Sequence, residues 1–229
     1  MVSIEIRTNC FEWLHAAGKR PARQLLVFVI ASALLVAACG NATEAPLPRG
    51  SVVLVVGDSI TAGYGIHSSE AWPARLAGET GWRVVAAGVN GDITAGGRER
   101  LPALLDEHAP ALVVIELGGN DLLRHIPETR IVANLDAMIE TARSHGTRVA
   151  LMAAPQPTAV GALTGLSPAP FYRDLAQRRQ VILIDRALPA VLSDDRLKQD
   201  AIHPNAAGHA ALARRAADEL KRAGVVPRG

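Results

Sequence analysis

Five short runs of apolar, largely β-branched residues, each followed by a stretch of helical composition, limit this chain more than any other feature of its sequence. The runs lie at residues 52–56, 83–87, 112–117, 148–153 and 181–185. Each is too short for a typical helix and reads as a buried parallel strand. Helices are predicted over 69–80, 94–108, 128–145 and 171–179, with a last one from Asn205 to about Arg222. Their apolar residues recur at helical spacing, as Leu101, Leu104 and Leu105 do. Gly81, Pro110 and Gly146 end three of them, and Pro102 either kinks the second or marks its real start. Strands alternating with helices give an α/β fold, a three-layer α/β/α sandwich on a five-stranded parallel sheet. Right-handed crossovers then bring every strand's carboxyl end to one edge, where open α/β sheets place their ligand sites.

The chain has 229 residues, and its leading segment reads as a targeting signal, so one domain is expected. Arg20 and Arg23 precede the apolar run 25–38, LLVFVIASALLVAA. That run is shorter than the roughly 20 residues that span a bilayer and fits the core of a signal peptide. Residues 36–39, Val-Ala-Ala-Cys, resemble a bacterial lipobox, which makes Cys39 the lipidated first residue of the mature protein. The alternative is ordinary cleavage near Ala38 that leaves Cys39 a free thiol. The organisation expected is a signal peptide over 1–38, lipidated Cys39 with a tether over 39–50, and the globular domain over 51–229. With Cys10 discarded and Cys39 acylated, no disulfide forms. The length ahead of Lys19 leaves open a start downstream of Met1.

Losing 1–38 removes Arg7, Lys19, Arg20 and Arg23 against Glu5 and Glu12, so the remaining charges balance and attachment rests on lipid rather than charge. The proline-bearing tether could extend on the order of 30 Å. The expected location is the periplasmic side of a bacterial envelope, and Gly40 is compatible with the outer membrane. A net charge of +2 and 3% aromatic residues, without basic-aromatic interleaving, argue against nucleic-acid binding.

Ser59, Gly91, Asn120 and the pair Asp200 and His203 all fall in loops beyond strand ends. Ester cleavage needs a nucleophile, a base, a group that orients the base and donors for the oxyanion. Ser59 supplies a hydroxyl, His203 a base that is neutral near pH 7, and Asp200 a carboxylate close enough to hold its tautomer. Asn120 can aim a carboxamide N–H at an oxyanion, and Gly91 and Ser59 can offer backbone N–H groups. Read singly, Gly57-Asp58-Ser59 is a common turn, and Asp200 to Pro204 could merely start the last helix. His67, His108, His125, His145 and His209 read as solvated surface residues. Asp58 and Asp121 read as turn and cap acceptors, and Glu116 as a structural acid with a partner in a neighbouring turn. Leu163, Leu166, Phe171 and Tyr172 form either an apolar substrate wall or a small satellite core.

The blocks GDSITAGYG, GVNGDITAGGRERLPALL, ELGGNDLL and DAIHPN, in this order, resemble the four blocks of the SGNH (GDSL) hydrolase family. They are most similar to its bacterial arylesterases that also act as acyl-CoA thioesterases and lysophospholipases. The resemblance runs from residue 51 to the final helix. It implies Ser59 as nucleophile, Asp200 and His203 as the rest of a triad, and Ser59, Gly91 and Asn120 as oxyanion donors. It also implies a flavodoxin-like strand order and no metal or organic cofactor. Ile60 replaces a usual leucine, and Ala201 stands where glycine is common. The expected partners are a small acyl or aryl ester and, through the lipid, a membrane, with the protein a monomer. A polysaccharide O-acetyl esterase and a non-catalytic envelope binding lipoprotein remain as alternatives. Dinucleotide binding does not, because the first turn lacks G-x-G-x-x-G spacing.

Overall fold

The computed structural model describes residues 45–157 and 165–227, so the leader, Cys39 and Leu163 lie outside the described residues. Strands β1 (Val52–Gly57), β2 (Arg83–Gly88), β3 (Leu112–Glu116), β4 (Arg148–Met152) and β5 (Ile182–Ile184) form one parallel sheet in the order β2-β1-β3-β4-β5. This is the doubly wound, flavodoxin-like order. β3 is buried along its whole length and β1 along all but its first residue. Val55 lies opposite Ala86 on one side and Val114 on the other.

The helices among the described residues are α1 (Ser59–Ala62), α2 (Trp72–Thr80), α3 (Thr94–His108), α4 (Gly119–Leu123), α5 (Glu128–Ser144), α6 (Pro170–Arg179), α7 (Ala187–Leu192) and α8 (Ala206–Arg222). None is long and apolar enough to cross a membrane. Successive strand side chains point to opposite faces. Val53 and Val55 therefore pack with Trp72, Leu188, Leu212 and Leu220 from α2, α7 and α8. Leu54 and Val56 pack with Leu101, Leu135 and Leu175 from α3, α5 and α6. Two apolar layers enclose the sheet, which is the expected sandwich.

Two short helices, α4 and α7, fall where no helix was predicted. Pro102 stays within α3 on its exposed side, where the carbonyl that loses its donor can face water. Residues 45–50, expected to be part of a tether, pack against the domain. Leu47 is buried, its N–H donates to the Val225 carbonyl at 2.7 Å, and its own carbonyl accepts the Trp82 indole N–H at 3.4 Å. Gly50 N–H bonds the Gly81 carbonyl at 2.7 Å and Arg148 bonds the Ala45 carbonyl at 2.9 Å, so residues 45–50 belong to the packed domain. An apolar side chain finding a pocket between β2 and the end of α8 explains the difference.

Candidate active site

β1 ends at Gly57, and the chain turns at once into α1. Asp58 caps that helix, its Oδ1 accepting the Ile60 N–H at 2.9 Å. Ser59 is the first residue of α1, and its Oγ lies 3.0 Å from His203 Nε2. His203 Nδ1 lies 2.7 Å from Asp200 Oδ2. The carboxylate can only accept, so the ring carries its proton on Nδ1 and turns the Nε2 lone pair toward the Ser59 hydroxyl. Asp200 Oδ1 also accepts the N–H groups of Ile202 at 2.9 Å and His203 at 2.8 Å. Burial acts to raise the Asp200 pKa, but these backbone bonds and the His203 ring outweigh it and hold the carboxyl below its usual value. Asp200 is not a helix cap. Asn205 caps α8 by accepting the Gly208 N–H at 2.9 Å, which leaves Asp200 to the imidazole.

Gly91 has φ 73°, a conformation costly for any residue with a Cβ. Among the described residues, no hydrogen bond engages the backbone N–H of Ser59 or of Gly91. Asn120 differs. Its Nδ2 donates both to Asp58 Oδ2 and to the Asp92 carbonyl, each at 3.0 Å. An oxyanion reaching this carboxamide would therefore have to share or replace an existing acceptor.

Two acids lie buried beneath the turn. Desolvation pushes the Asp58 pKa up to about 6, against the Ile60 N–H and the His203 charge, which favour the ionised form. Glu116 is driven well above the usual carboxylate range, first by burial and next by the Asp58 charge. The partner expected for Glu116 is Thr61, whose hydroxyl donates to its Oε2 at 2.8 Å. A Cβ at Gly57 would lie 2.1 Å from Thr61 Oγ1 and 2.6 Å from Glu116 Oε2, so only glycine lets the acid close over the turn. Asp121 is also fully buried. It accepts from the Thr94 N–H at 2.9 Å and hydroxyl at 2.6 Å, capping α3 where Ile93 has no side chain to do so.

A cavity of about 140 Å³ opens beside Ser59 and His203, lined mainly by apolar side chains that include Ile60, Leu123, Leu166, Leu188, Leu192 and Ile202. Leu166 is placed at the cavity, packed against the core beneath it. Phe171 and Tyr172 are not. α6 starts at Pro170 and turns both rings into the core on the α3/α5 side of the sheet, where they stack at 4.4 Å. The Tyr172 hydroxyl is used up by the Leu117 carbonyl at 2.6 Å. His209 also departs from expectation. It is buried on the inner face of α8, its Nδ1 accepting the Trp72 N–H at 3.2 Å, and burial lowers its pKa to about 4.

The profile of the GDSL-like lipase/acylhydrolase family matches residues 55–211. The chain belongs to this family. It is an ester-hydrolysing enzyme of the α/β type its relatives share. It is 42% identical over 158 residues to esterase TesA of Pseudomonas aeruginosa, covering 66% of this chain and 79% of the relative. An arylesterase of Vibrio mimicus is 36% identical over 174 residues, covering 73% and 87% of the two chains. The crystal structure of TesA superposes with a TM-score of 0.67 at 38% identity, over 75% of this chain and 99% of that one. That of AlinE4, an SGNH-hydrolase family esterase, does so at 0.58 and 31% identity, over 77% and 98%.

Three residues of this GDSL-like hydrolase stand at the site without having been singled out in the sequence. Arg100 reaches from α3 to Asp92 Oδ2 at 2.9 Å and to the carbonyls of Ala87 at 2.7 Å and Gly57 at 2.9 Å. It thereby ties the ends of β1 and β2 to the Gly91 loop. Tyr64 lies against the His203 ring, and Gln199 joins the Tyr64 carbonyl to the loop that carries Asp200. Tyr64 stands inside GDSITAGYG and Arg100 inside GVNGDITAGGRERLPALL, signals that were available; nothing local marks Gln199.

Proposed function

We propose that the protein hydrolyses carboxylic esters and thioesters through an acyl-enzyme on Ser59. His203 Nε2 takes the hydroxyl proton as Ser59 Oγ attacks the carbonyl carbon, and Asp200 stabilises the imidazolium that results. The oxyanion receives the N–H groups of Ser59 and Gly91, joined by Asn120 once its carboxamide releases the Asp92 carbonyl. Collapse expels the alcohol or thiol, which leaves with the proton from His203. Water then adds to the acyl carbon with His203 again as base, releasing the acid and restoring Ser59.

The observation that carries this reading is the unbroken relay from Ser59 Oγ to His203 at 3.0 Å and on to Asp200 at 2.7 Å, at the mouth of an apolar cavity. The apolar walls favour an acyl or aryl substrate over an acetylated glycan, and the names esterase and arylesterase of the relatives agree with this. The test is hydrolysis of p-nitrophenyl acetate, butyrate and octanoate by the wild type and by Ser59→Ala. Turnover that survives the substitution overturns the mechanism.

Export and attachment to an envelope membrane through lipid on Cys39 complete the proposal. They are supported by the apolar run and by the small residues before the cysteine. Cys39→Ser should then release the enzyme from the membrane fraction of expressing bacteria without altering its turnover.

A further inference from the structure

We infer that Tyr64 is a positioning residue of the reaction: the face of its ring holds the His203 imidazole in line between Ser59 and Asp200 and stabilises the imidazolium that forms as Ser59 gives up its proton. The inference rests on the acyl-enzyme reading above. The two ring centroids are 4.6 Å apart and the rings are inclined by 35°. Tyr64 is 50% exposed, so its side chain is not there to fill the core. Among the described residues its hydroxyl has no hydrogen-bond partner, which leaves the ring as the part in use.

The main chain holds the ring from both sides of the site. The Tyr64 N–H donates to the Ser59 carbonyl at 3.0 Å, closing the turn that follows α1. The Tyr64 carbonyl accepts Gln199 Nε2 at 2.6 Å, and the Gln199 N–H donates to the His203 carbonyl at 3.0 Å. One residue is thus tied to the backbone of the nucleophile and to that of the base. Asp200 meets the imidazole at its edge, in the ring plane, where it fixes the tautomer. An edge contact does not stop the ring tilting out of line, whereas a contact on its face does. The negative face of an aromatic ring also attracts a cation, and the cation exists only after proton transfer. The contact therefore strengthens as the transition state is approached, which lowers the barrier rather than merely binding substrate.

The test uses the full chain and the variants Tyr64→Phe, Tyr64→Leu and Tyr64→Ala. Turnover of p-nitrophenyl acetate and the rate of labelling by a fluorophosphonate are measured, with melting temperature as a check on folding. Tyr64→Phe should stay within about twofold of the wild type in both rates. Tyr64→Leu and Tyr64→Ala should lose roughly tenfold in kcat and in labelling rate, with KM within about twofold. Wild-type rates in Tyr64→Leu, or a rise in KM alone in Tyr64→Ala, would overturn the inference, because either would make the ring a simple cover or a substrate wall. Should Tyr64→Ala melt early, the Phe and Leu pair decides. A wild type labelled no better than Ser59→Ala would point to failure of the acyl-enzyme reading, whereas wild-type labelling with no Tyr64 effect would sink this inference alone.

Discussion

The two edges of the sheet meet the same requirement, satisfying the backbone groups that the strands leave open, with a different balance of main chain and side chain. At the amino edge, the ties between strand ends run largely from one main-chain group to another. Ala111 N–H donates to the Val52 carbonyl at 2.9 Å, Arg148 N–H to Ala111 at 3.2 Å, and Gly50 to Gly81 at 2.7 Å. At the carboxyl edge the ties are made largely by side chains: Arg100 to Gly57 and Ala87, Asn120 to Asp58 and Asp92, Thr61 to Glu116. There Asp58, Glu116 and Asp121 are buried acids, while Tyr64, Val89, Leu123 and Ile202 are large apolar side chains left exposed. One edge is built from interactions that stabilise the fold. The other spends stability to hold polar groups where a substrate can use them.

The contrast breaks if mutations at the two edges act alike. The largest effect expected is for Ser59→Ala, which should lower kcat by about 10⁴-fold while the melting temperature stays the same or rises. Next is Trp82→Ala at the amino edge, where loss of a buried indole should cost about 3–5 kcal/mol, or roughly 10 °C in melting temperature. The folded fraction should keep its kcat, measured well below the transition.

Two titrations sharpen the comparison because they run in opposite directions. Above pH 6.5 both the folded and the unfolded state hold His209 neutral, and its lowered folded pKa of about 4 means the unfolded chain takes up a proton first as the pH falls. The buried neutral ring therefore contributes stability above pH 6.5 that is lost on acidification toward about 4, on the order of 3 kcal/mol. Chemical denaturation across this range should show that slope in the wild type and a flatter one in His209→Asn. Asp58 behaves oppositely. Its folded pKa, raised from 3.8 to about 6, stabilises the fold below 3.8 and loses that contribution as the pH rises through 6. Asp58→Asn should remove this alkaline-going loss from the same titration. The smallest expected effect is on turnover: the new amide can still cap Ile60 but offers N–H to Asn120 in place of an acceptor, so kcat should fall roughly tenfold.

Much of this was legible in the sequence because it is local. Runs of β-branched residues ending in Gly-Asp-Ser or Gly-Gly-Asn-Asp encode a strand and the turn after it, and Asp200 stands three residues before His203, within reach of its ring. What was missed depends on facing rather than on type. His209 lies in register with Leu212, Ala213, Ala216 and Leu220, all on the buried stripe of α8, so its spacing carried the signal that its polarity concealed. Phe171 and Tyr172 could not be assigned to cavity or core without knowing where α6 begins. Arg100 stands inside the block GVNGDITAGGRERLPALL, but which carbonyls its guanidinium meets is not written there, and Gln199 reaches Tyr64 across 135 residues of chain. The double commitment of Asn120 likewise arises only when the turns after β1, β2 and β3 are brought together.

The clasp made by Leu47 on Val225 and Trp82 holds residues 45–50 on the side of the sheet that carries no chemistry. A resin, a reporter protein or a second enzyme joined ahead of Ala45 is consequently coupled to the inert side. Immobilisation by that end should leave the mouth beside Ser59 open to solvent, while coupling through residues of the Tyr64 or Ile202 loops should shut it.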